Sequence, residues 1–323
     1  MSLNDKVILI TGGTGSFGRK FTEMVLNEFS PQKLIIFSRD ELKQHEMSQE
    51  FNADSMRFFI GDVRDSERLR RAFNGVDVVV HAAAMKQVPA CEYNPLEAVK
   101  TNVVGAQNVI DAAIDCGVKK VLAISTDKAV NPINLYGATK LCAEKLFVQS
   151  NSYSAEGQTQ FSCARYGNVV GSRGSVIPIF IRQRDTGEIT VTDERMTRFW
   201  ITLEQGVRLV LDSIDLMQGG EIFVPKIPSM RIVDLAHTIG NGCKINTIGI
   251  RPGEKLHEVL ISRDEARSTL EFDNMYVVQP EFPWWGGGDW SDGKILEEGF
   301  EYSSDKNEKW MSSQELEAVL EGE

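Results

Sequence analysis

The sequence has few cysteines, and none of them form a close pair. Its 323 residues contain five, at positions 91, 116, 142, 163 and 243, without a C-x-x-C spacing. An odd and scattered set supports neither a disulfide framework nor a zinc site. We therefore predict reduced thiols, a cytoplasmic location and no bound metal.

Long apolar runs and excess basic charge are also missing. The stretch "MSLNDKVILITGG" has four consecutive apolar residues before its glycines begin, which favours neither a signal peptide nor a membrane span. Thirty-five basic and 46 acidic residues give a net charge of −11, and such a surface repels phosphate backbones. We expect no membrane and no nucleic acid among the partners.

The first half of the chain alternates short apolar runs with amphipathic stretches. The runs "KVILIT", "KLIIFS", "MRFFIGD", "VDVVVHAAA" and "KKVLAIST" predict buried strands, because they are short and rich in β-branched residues. Helices are predicted over 17–29, 40–51, 66–73, 94–116 and 203–217. This alternation predicts an α/β fold with a Rossmann-type doubly wound parallel sheet. This regular alternation of predicted strands and helices ends near residue 165, so we predict a sheet domain over 1–165. A smaller C-terminal lobe and tail would span 166–323, with some later elements returning to the sheet.

A glycine-rich turn follows the first predicted strand and opens a helix. In "ITGGTGSFG", Gly12, Gly15 and Gly18 stand three residues apart. Glycines at this spacing bring main-chain N–H groups close to a pyrophosphate, and the helix N-terminus favours negative charge. A tight turn without a ligand is the alternative, but further cofactor signals follow in order. The pattern therefore predicts dinucleotide binding.

The end of the second strand bears on which dinucleotide is bound. An NAD site commonly has a carboxylate there, whereas this chain has Ser38 and Arg39, then Asp40 and Lys43. Serine and a guanidinium suit a 2′-phosphate, which predicts NADP. The alternative is a helix N-cap at Ser38 or Asp40 among ordinary surface charges, and both interpretations can hold together.

Two later strand ends are suited to the rest of a dinucleotide. Asp62 and Val63 follow the third strand, where an adenine could be hydrogen-bonded, and Ala82 and Ala83 let a cofactor lie close. His81 precedes these alanines directly after "VDVVV", and we interpret it as a structural residue at the strand end.

Tyr136 and Lys140 form the first chemical signal. Four residues apart, they would share one face of a helix after the fifth strand. An ammonium near a phenol lowers the tyrosine pKa, so the tyrosine can take a proton from a sugar hydroxyl.

Several blocks resemble a known family. "TGGTGSFG", "GDVRD", "HAAA" and "YGATK" resemble the extended short-chain dehydrogenase/reductase superfamily. More narrowly, "SRDELKQ", "STDKAVNPINLYGATK", "RYGNVVGSRGSVIP", "MTRFWI", "GGEIFVPKIPSM" and "GIRPGEKLHE" resemble the inverting UDP-N-acetylglucosamine 4,6-dehydratases that open pseudaminic acid biosynthesis. The resemblance runs from the glycine loop to about residue 275 and resumes in "FEYSSDKNEKW".

The resemblance implies two catalytic units. Such an NADP-dependent hydro-lyase oxidises C4 of the hexose, removes water across C5 and C6, and returns the hydride to C6. Tyr136 with Lys140 would serve the redox steps, Asp127 with Lys128 the elimination, and Thr126 would bind the 4-oxygen. Lys128 would be the base at C5 and must be neutral to act, while the net effect of its neighbours on its pKa is left open. A strand end and turn with a surface ion pair is the alternative for 126–128.

The resemblance also implies binding residues and stereochemistry. Tyr136, where retaining relatives have methionine, favours inversion at C5. The substrate contacts implied for UDP-N-acetylglucosamine are Lys86, Asn168, Arg173, Arg251 and Glu254. The full set of predicted cofactor contacts is Gly12, Thr14, Gly15, Ser16, Phe17, Gly18, Ser38, Arg39, Asp40, Lys43, Asp62, Val63, Ala82, Ala83, Thr101, Tyr136, Lys140 and Val169. The family forms homo-oligomers, with a hexamer as the expected form.

Two other functions compete with dehydration. A 4-epimerase or a retaining dehydratase would use the same fold, and an epimerase would have no need of Asp127 and Lys128. A non-catalytic NADP-sensing regulator would tolerate loss of Tyr136 or Lys140, yet both are present. The segment "PWWGGGDW" is interpreted as a contact surface or a local core.

Overall fold

A large sheet organises the chain, in a computed structural model that describes residues 2–154, 158–171, 175–282 and 290–321. The strands are β1 Val7–Thr11, β2 Lys33–Ser38, β3 Met56–Ile60, β4 Val78–His81, β5 Lys120–Thr126, β6 Gln160–Tyr166, β7 Asn168–Val169, β8 Glu188–Val191, β9 Thr197–Ile201, β10 Ile222–Pro225, β11 Ser229–Arg231, β12 Lys244–Thr247, β13 Val259–Ile261, β14 Thr269–Glu271, β15 Met275–Val278, β16 Lys294–Ile295 and β17 Tyr302–Ser303. The helices are α1 Ser16–Glu28, α2 Glu41–Glu50, α3 Ser66–Phe73, α4 Val88–Tyr93, α5 Pro95–Val99, α6 Gly105–Cys116, α7 Leu135–Gln149, α8 Val176–Arg184, α9 Leu203–Leu216, α10 Ile232–Ile239 and α11 Ser313–Glu321.

The strand order fixes where a ligand can bind. Parallel strands run in the order β3-β2-β1-β4-β5-β6-β10, and the antiparallel strands β15, β14 and β16 extend the sheet beyond β10. The chain winds outward in opposite directions from β1 and β4. Loops at their carboxyl ends therefore diverge and leave a crevice between them, which is where open α/β sheets bind ligands. The predicted doubly wound parallel fold is confirmed.

The five predicted strands and four of the five predicted helices are confirmed with small shifts at their ends. The five apolar runs form β1 to β5, and the helices predicted over 17–29, 40–51, 66–73 and 203–217 are α1, α2, α3 and α9. All residues of β1 and β4 are buried, as expected for central strands covered on both faces.

The helix predicted over 94–116 is interrupted. Helices α5 and α6 are separated by a π-helical segment, Lys100–Val104. Inside it, the Asn102 side chain accepts a hydrogen bond from Met85 N (2.8 Å) and donates to Met85 O (2.9 Å) and Thr139 Oγ1 (3.0 Å). The wider turn thus carries an amide that ties the loop after β4 to α7. Hydrophobic periodicity does not report such a local change of pitch.

A second hydrophobic core lies beside the sheet. It contains Trp200, Phe180, Met230, Leu235 and Leu316, from β9, α8, β11, α10 and α11. Not all of the chain after residue 165 belongs to it, because β10, β14, β15 and β16 pair within the main sheet. Loops between the two cores lie over the carboxyl ends of the parallel strands.

Among the described residues, no helix combines the length and the apolar character needed to cross a bilayer.

Candidate active site

A cavity of about 990 Å³ opens at the carboxyl ends of the parallel strands. Its walls come from the loops after β1 to β5, from the start of α7 and from segments of the second core. Its volume is at the upper end of the range for small-molecule sites, about 300–1,000 Å³.

The glycine loop forms one end of this cavity. Gly12 has φ +67°, and a Cβ added there would lie 2.9 Å from the Ala83 main chain. The loops after β1 and β4 therefore touch in a way that only glycine permits. Gly15 is the N-cap of α1, whose first N–H groups and dipole suit a phosphate. Gly18 does not line the cavity. It packs on the Gly13 main chain, and the helix-packing role of the third glycine explains it better than a direct cofactor contact.

Some residues at the end of β2 stabilise the fold, and others could contact a ligand. Asp40 caps α2 by accepting from Lys43 N (3.1 Å), and it pairs with Lys43 Nζ (2.6 Å). Ser38 Oγ lies 2.8 Å from Thr14 Oγ1 and does not cap the helix. The Arg39 side chain is 62% exposed, with one nitrogen 3.6 Å from Asp62 Oδ2. Of the two proposed N-caps, Asp40 is the observed one, and the Arg39 guanidinium is free to turn toward a ligand.

Most of the other predicted cofactor contacts line the same cavity. They are Thr14, Gly15, Ser16, Phe17, Ser38, Arg39, Asp40, Lys43, Asp62, Val63, Ala82, Ala83, Thr101 and Val169. The small residues and the helix N-terminus fit a dinucleotide in shape and charge. His81 lies behind this wall with Nδ1 2.9 Å from Thr11 Oγ1, and burial lowers its pKa to about 3. It is a neutral structural residue of β4.

The chemical end is built where β5 meets α7. Strand β5 ends at Thr126, a single 3₁₀ turn spans Asp127–Ala129, and Asn134 caps α7 by accepting from Gly137 N (2.8 Å). A Cβ added to Gly137 would stand 2.2 Å from Lys128 O. The glycine of "YGATK" therefore lets the turn press against the helix, which brings Lys128 beside Tyr136.

Lys128 stands among polar partners from three parts of the chain. Its Nζ lies 3.0 Å from Asp127 Oδ1, 3.3 Å from Asn168 Oδ1 and 3.4 Å from Glu258 Oε1. Burial lowers the Lys128 pKa, but the charges of Asp127 and Glu258 outweigh it and raise the pKa above the ordinary lysine range. The direction that the sequence left open is thus decided in favour of the ammonium form.

Asp127 is fully buried and is not part of a surface ion pair. Its Oδ1 also accepts from Thr126 Oγ1 (2.9 Å), while its Oδ2 has no hydrogen-bond partner among the described residues. Asp127 does not itself line the cavity, whereas Thr126 and Lys128 on either side of it do. A buried carboxylate held in this way can exchange a proton with Lys128 without water.

Tyr136 and Lys140 both line the cavity, as their spacing predicted. Burial raises the pKa of Tyr136 to about 12, while the Lys128 charge and a hydrogen bond with Thr126 oppose the rise. Lys140 Nζ donates to Ile124 O (2.7 Å), and burial lowers its pKa. The sequence suggested Lys140 as the cation acting on the phenol. In this structure the charge of Lys128 also lowers the Tyr136 pKa.

Four of the five substrate residues implied by the resemblance line the cavity: Lys86, Asn168, Arg251 and Glu254. The fifth, Arg173, lies outside the described residues, as do residues 283–289 of the Trp/Gly-rich segment. Arg251 and Glu254 are 3.9 Å apart on a loop that Asn134 holds, by donating to Gly253 O (2.8 Å). The cap of α7 therefore also positions this loop.

Sequence reasoning missed three charged residues at the chemical end: Arg198, Lys255 and Glu258. All three line the cavity, and they lie 70 to 130 positions from Lys128. Their only signal was a place within "MTRFWI" and "GIRPGEKLHE", where nothing in the charge pattern separates them from surface residues.

Comparisons with known proteins agree with this geometry. Residues 8–280 match the family described as polysaccharide biosynthesis protein. A Campylobacter jejuni protein named UDP-N-acetylglucosamine 4,6-dehydratase (inverting) is 55% identical, over 98% of each chain. A Rickettsia akari protein named UDP-glucose 4-epimerase is 44% identical, over 85% of this chain and 83% of that one.

A solved structure matches the fold over its whole length. The X-ray structure of Pen from Bacillus thuringiensis superposes with a TM-score of 0.92 at 40% identity, covering 100% of this chain and 99% of that one. The agreement in sequence and fold extends well beyond the glycine loop. The chain therefore belongs to the polysaccharide biosynthesis protein family, within the extended short-chain dehydrogenase/reductase superfamily.

Proposed function

We propose that this protein is an NADP-dependent UDP-N-acetylglucosamine 4,6-dehydratase that inverts C5 and so opens pseudaminic acid biosynthesis. The observation that carries the proposal is the shared cavity of two chemical units. Tyr136, Lys140 and Lys128 line the same cavity as the glycine loop, and the Lys128 ammonium lies 3.0 Å from the buried Asp127 carboxylate behind the cavity wall. The relative named for this activity, 55% identical over nearly the whole chain, supports the assignment.

The redox half is assigned to α7. When bound, the nicotinamide supplies the hydride acceptor and donor at C4 and C6. Tyr136 accepts the proton of the 4-hydroxyl, and Thr126 hydrogen-bonds the 4-oxygen. Because burial raises the Tyr136 pKa to about 12, this step depends on nearby positive charge, and the Lys128 charge, which opposes that rise, supports the assignment.

The elimination half needs a base at C5 and an acid at the C6 hydroxyl. Passing one proton from Lys128 Nζ to Asp127 Oδ1, across 3.0 Å, produces both at once: a neutral amine and a carboxylic acid. The amine then removes the C5 proton that the 4-ketone has acidified. Asp127 does not itself line the cavity, so its proton passes to the departing hydroxyl through Thr126 Oγ1, 2.9 Å from Asp127 Oδ1, and the hydroxyl leaves as water. C5 is later reprotonated on the opposite face of the ring, which is what inverts its configuration.

The cofactor preference rests on the residues after β2. Ser38 and the exposed Arg39 line the cavity where a 2′-phosphate would reach, and the nearby carboxylate Asp40 is occupied by Lys43. A ribose 2′-hydroxyl would find no free carboxylate at this strand end, which favours NADP. A homo-oligomer is part of the same proposal, and light scattering on the purified protein measures it.

Proton NMR of the purified protein with UDP-N-acetylglucosamine in D₂O tests the activity. A new C6 methyl signal with deuterium at C5 is expected, and the C5 configuration reports inversion. Lys128→Ala should abolish methyl formation, while Tyr136→Phe should also stop oxidation at C4. A galacto product without a methyl group would instead support a 4-epimerase, the activity named for the Rickettsia relative.

A further inference from the structure

Glu258 is a buried carboxylate at the chemical end to which the resemblance assigns no role. It directly precedes β13, and its side chain is 3% exposed. Two hydrogen bonds with Ser304 fix its main chain: Glu258 N donates to Ser304 Oγ (2.9 Å), and Ser304 N donates to Glu258 O (2.8 Å). The carboxylate is therefore held in place by a part of the chain remote from α7.

Three cations surround this carboxylate. Lys128 Nζ lies 3.4 Å from Oε1, Arg198 Nε 3.7 Å from Oε1, and Lys255 Nζ 3.8 Å from Oε2. An isolated charge at such a depth would be costly, so mutual pairing explains why Glu258 and Arg198 can be buried, with Lys128 and Lys255 partly buried beside them. Within the described residues, Oε2 makes no hydrogen bond, which leaves the carboxylate held by charge on that side.

Arg198 is not available to a ligand, although it lines the cavity. Its guanidinium donates to the main-chain oxygens of Thr197 (2.7 Å), Lys255 (2.9 Å) and Leu256 (3.1 Å). Its remaining role is electrostatic: it is a fixed positive charge beside Glu258 that also lowers the pKa of Lys128. Without the negative charge of Glu258, the positive charge of Arg198 would lower the Lys128 pKa with less opposition.

We propose that Glu258 is a positioning residue for the elimination half, which holds the Lys128 amine at the cavity wall and shields it from the Arg198 charge. The role in elimination rests on the proposed function, whereas the contact between Glu258 and Lys128 does not depend on it. Glu258 orients Lys128, while the proton exchange runs between Lys128 and Asp127.

The charges around Lys128 decide the direction of the effect. They are Asp127 on its own turn, Glu258 before β13, Arg198 on β9, Lys255 on the loop before β13 and the Tyr136 hydroxyl on α7. Removing the Glu258 charge leaves Asp127 as the one anion in this set against two fixed cations. The ammonium becomes easier to deprotonate, while the amine loses one of the contacts that orient it.

Glu258→Gln tests this inference, because it keeps the shape and removes the charge. We expect kcat to fall about tenfold or more and KM to change less than about twofold, since the loss concerns orientation during the reaction. The falling limb of the pH profile, where Lys128 loses the proton that Asp127 must receive, should move to lower pH by about one unit. In single turnover, reduced nicotinamide should accumulate, because C4 oxidation continues while elimination slows. Glu258→Asp should recover part of the rate.

A second measurement does not depend on turnover. In protein carrying isotope-labelled lysine, with the Lys128 Cε resonance assigned through Lys128→Arg, NMR titration should show Lys128 losing its proton at lower pH in Glu258→Gln than in wild type. Glu271→Gln is the matched control, because Glu271 pairs with Lys226 (2.8 Å) away from the cavity. It should leave both the titration and the profile unchanged.

The outcomes separate the two hypotheses. If the wild type makes no methyl product but Lys128 titrates lower in the variant, the proposed function fails and the positioning by Glu258 stands. If the wild type is active and Glu258→Gln loses rate equally at every pH, with an unmoved Lys128 titration, Glu258 is merely structural and the inference is overturned.

Discussion

The buried carboxylate of Glu265 should make the free energy of unfolding fall as the pH is lowered. The substitution Glu265→Gln should remove this part of the pH dependence. Its oxygens lie 2.8 and 3.1 Å from Arg165 nitrogens, and its side chain is 17% exposed. Burial raises the Glu265 pKa, but the Arg165 charge and hydrogen bonds from Arg165 and Ser262 outweigh it and lower the pKa from 4.5 to about 2. Arg165 also pairs with Glu144 on α7, so the contact ties the catalytic helix to the segment before β14.

The size and direction of the effect follow from that shift. A folded-state pKa below the unfolded value stabilises the protein above the unfolded pKa, and this stabilisation is lost as the pH falls toward the folded value. A shift of about 2.5 units corresponds to about 3 kcal/mol, of which about 2 kcal/mol would be gone by about pH 3. This stabilisation is therefore lost as the pH falls from 4.5 to about 2.

Urea unfolding of wild type and Glu265→Gln over this range measures the effect. The difference in free energy of unfolding should be about 3 kcal/mol near neutral pH and should shrink to about 1 kcal/mol by about pH 3. Glu271→Gln, whose pair with Lys226 is partly exposed, should differ from wild type by less than about 1 kcal/mol throughout. A Glu265→Gln difference that stays constant with pH would refute the reasoning.

Three further substitutions probe the geometry of the cavity. Gly137→Ala should lower kcat about tenfold or more despite the better helix propensity of alanine, because its Cβ would stand 2.2 Å from Lys128 O; steady-state kinetics measure this. Asn134→Ala removes the cap of α7 and the tether of the loop at Gly253, so thermal unfolding should show a loss of about 1 kcal/mol and kinetics a raised KM for the nucleotide sugar. Arg39→Ala should weaken NADP binding about tenfold or more and leave NAD binding nearly unchanged, as measured by calorimetry.

Each of the three has a matched control elsewhere in the chain. Gly206→Ala in α9 meets no atom closer than 3.9 Å and should leave activity unchanged. Asp65→Ala removes the cap of α3 and should lower stability without changing KM. Arg195→Ala removes an exposed arginine, 71% accessible, and should not alter cofactor preference. If a control and its test variant behave alike, the corresponding argument is wrong.

The sequence alone was sufficient for the first five strands of the sheet and for the glycine turn that follows β1. These features depend on neighbours in the chain: an apolar strand, a glycine turn and a helix follow one another directly, and strand ends of a parallel sheet meet at one edge. The same locality placed Tyr136 and Lys140 on one helical face. The sequence did not predict the π-helical segment, because the Asn102 side chain inside it contacts residues outside its own helix.

The charge state of Lys128 was decided only by the tertiary structure. The sequence showed Asp127 beside it and left the sign of the pKa shift open. The second carboxylate, Glu258, comes from a loop 130 positions later, and the fixed charge of Arg198 comes from β9. Electrostatic effects at a buried amine depend on distance and desolvation in space, which a linear order of residues does not contain. The sequence therefore determined which chemical groups are present at this site, and the fold determined how strongly each one acts on Lys128.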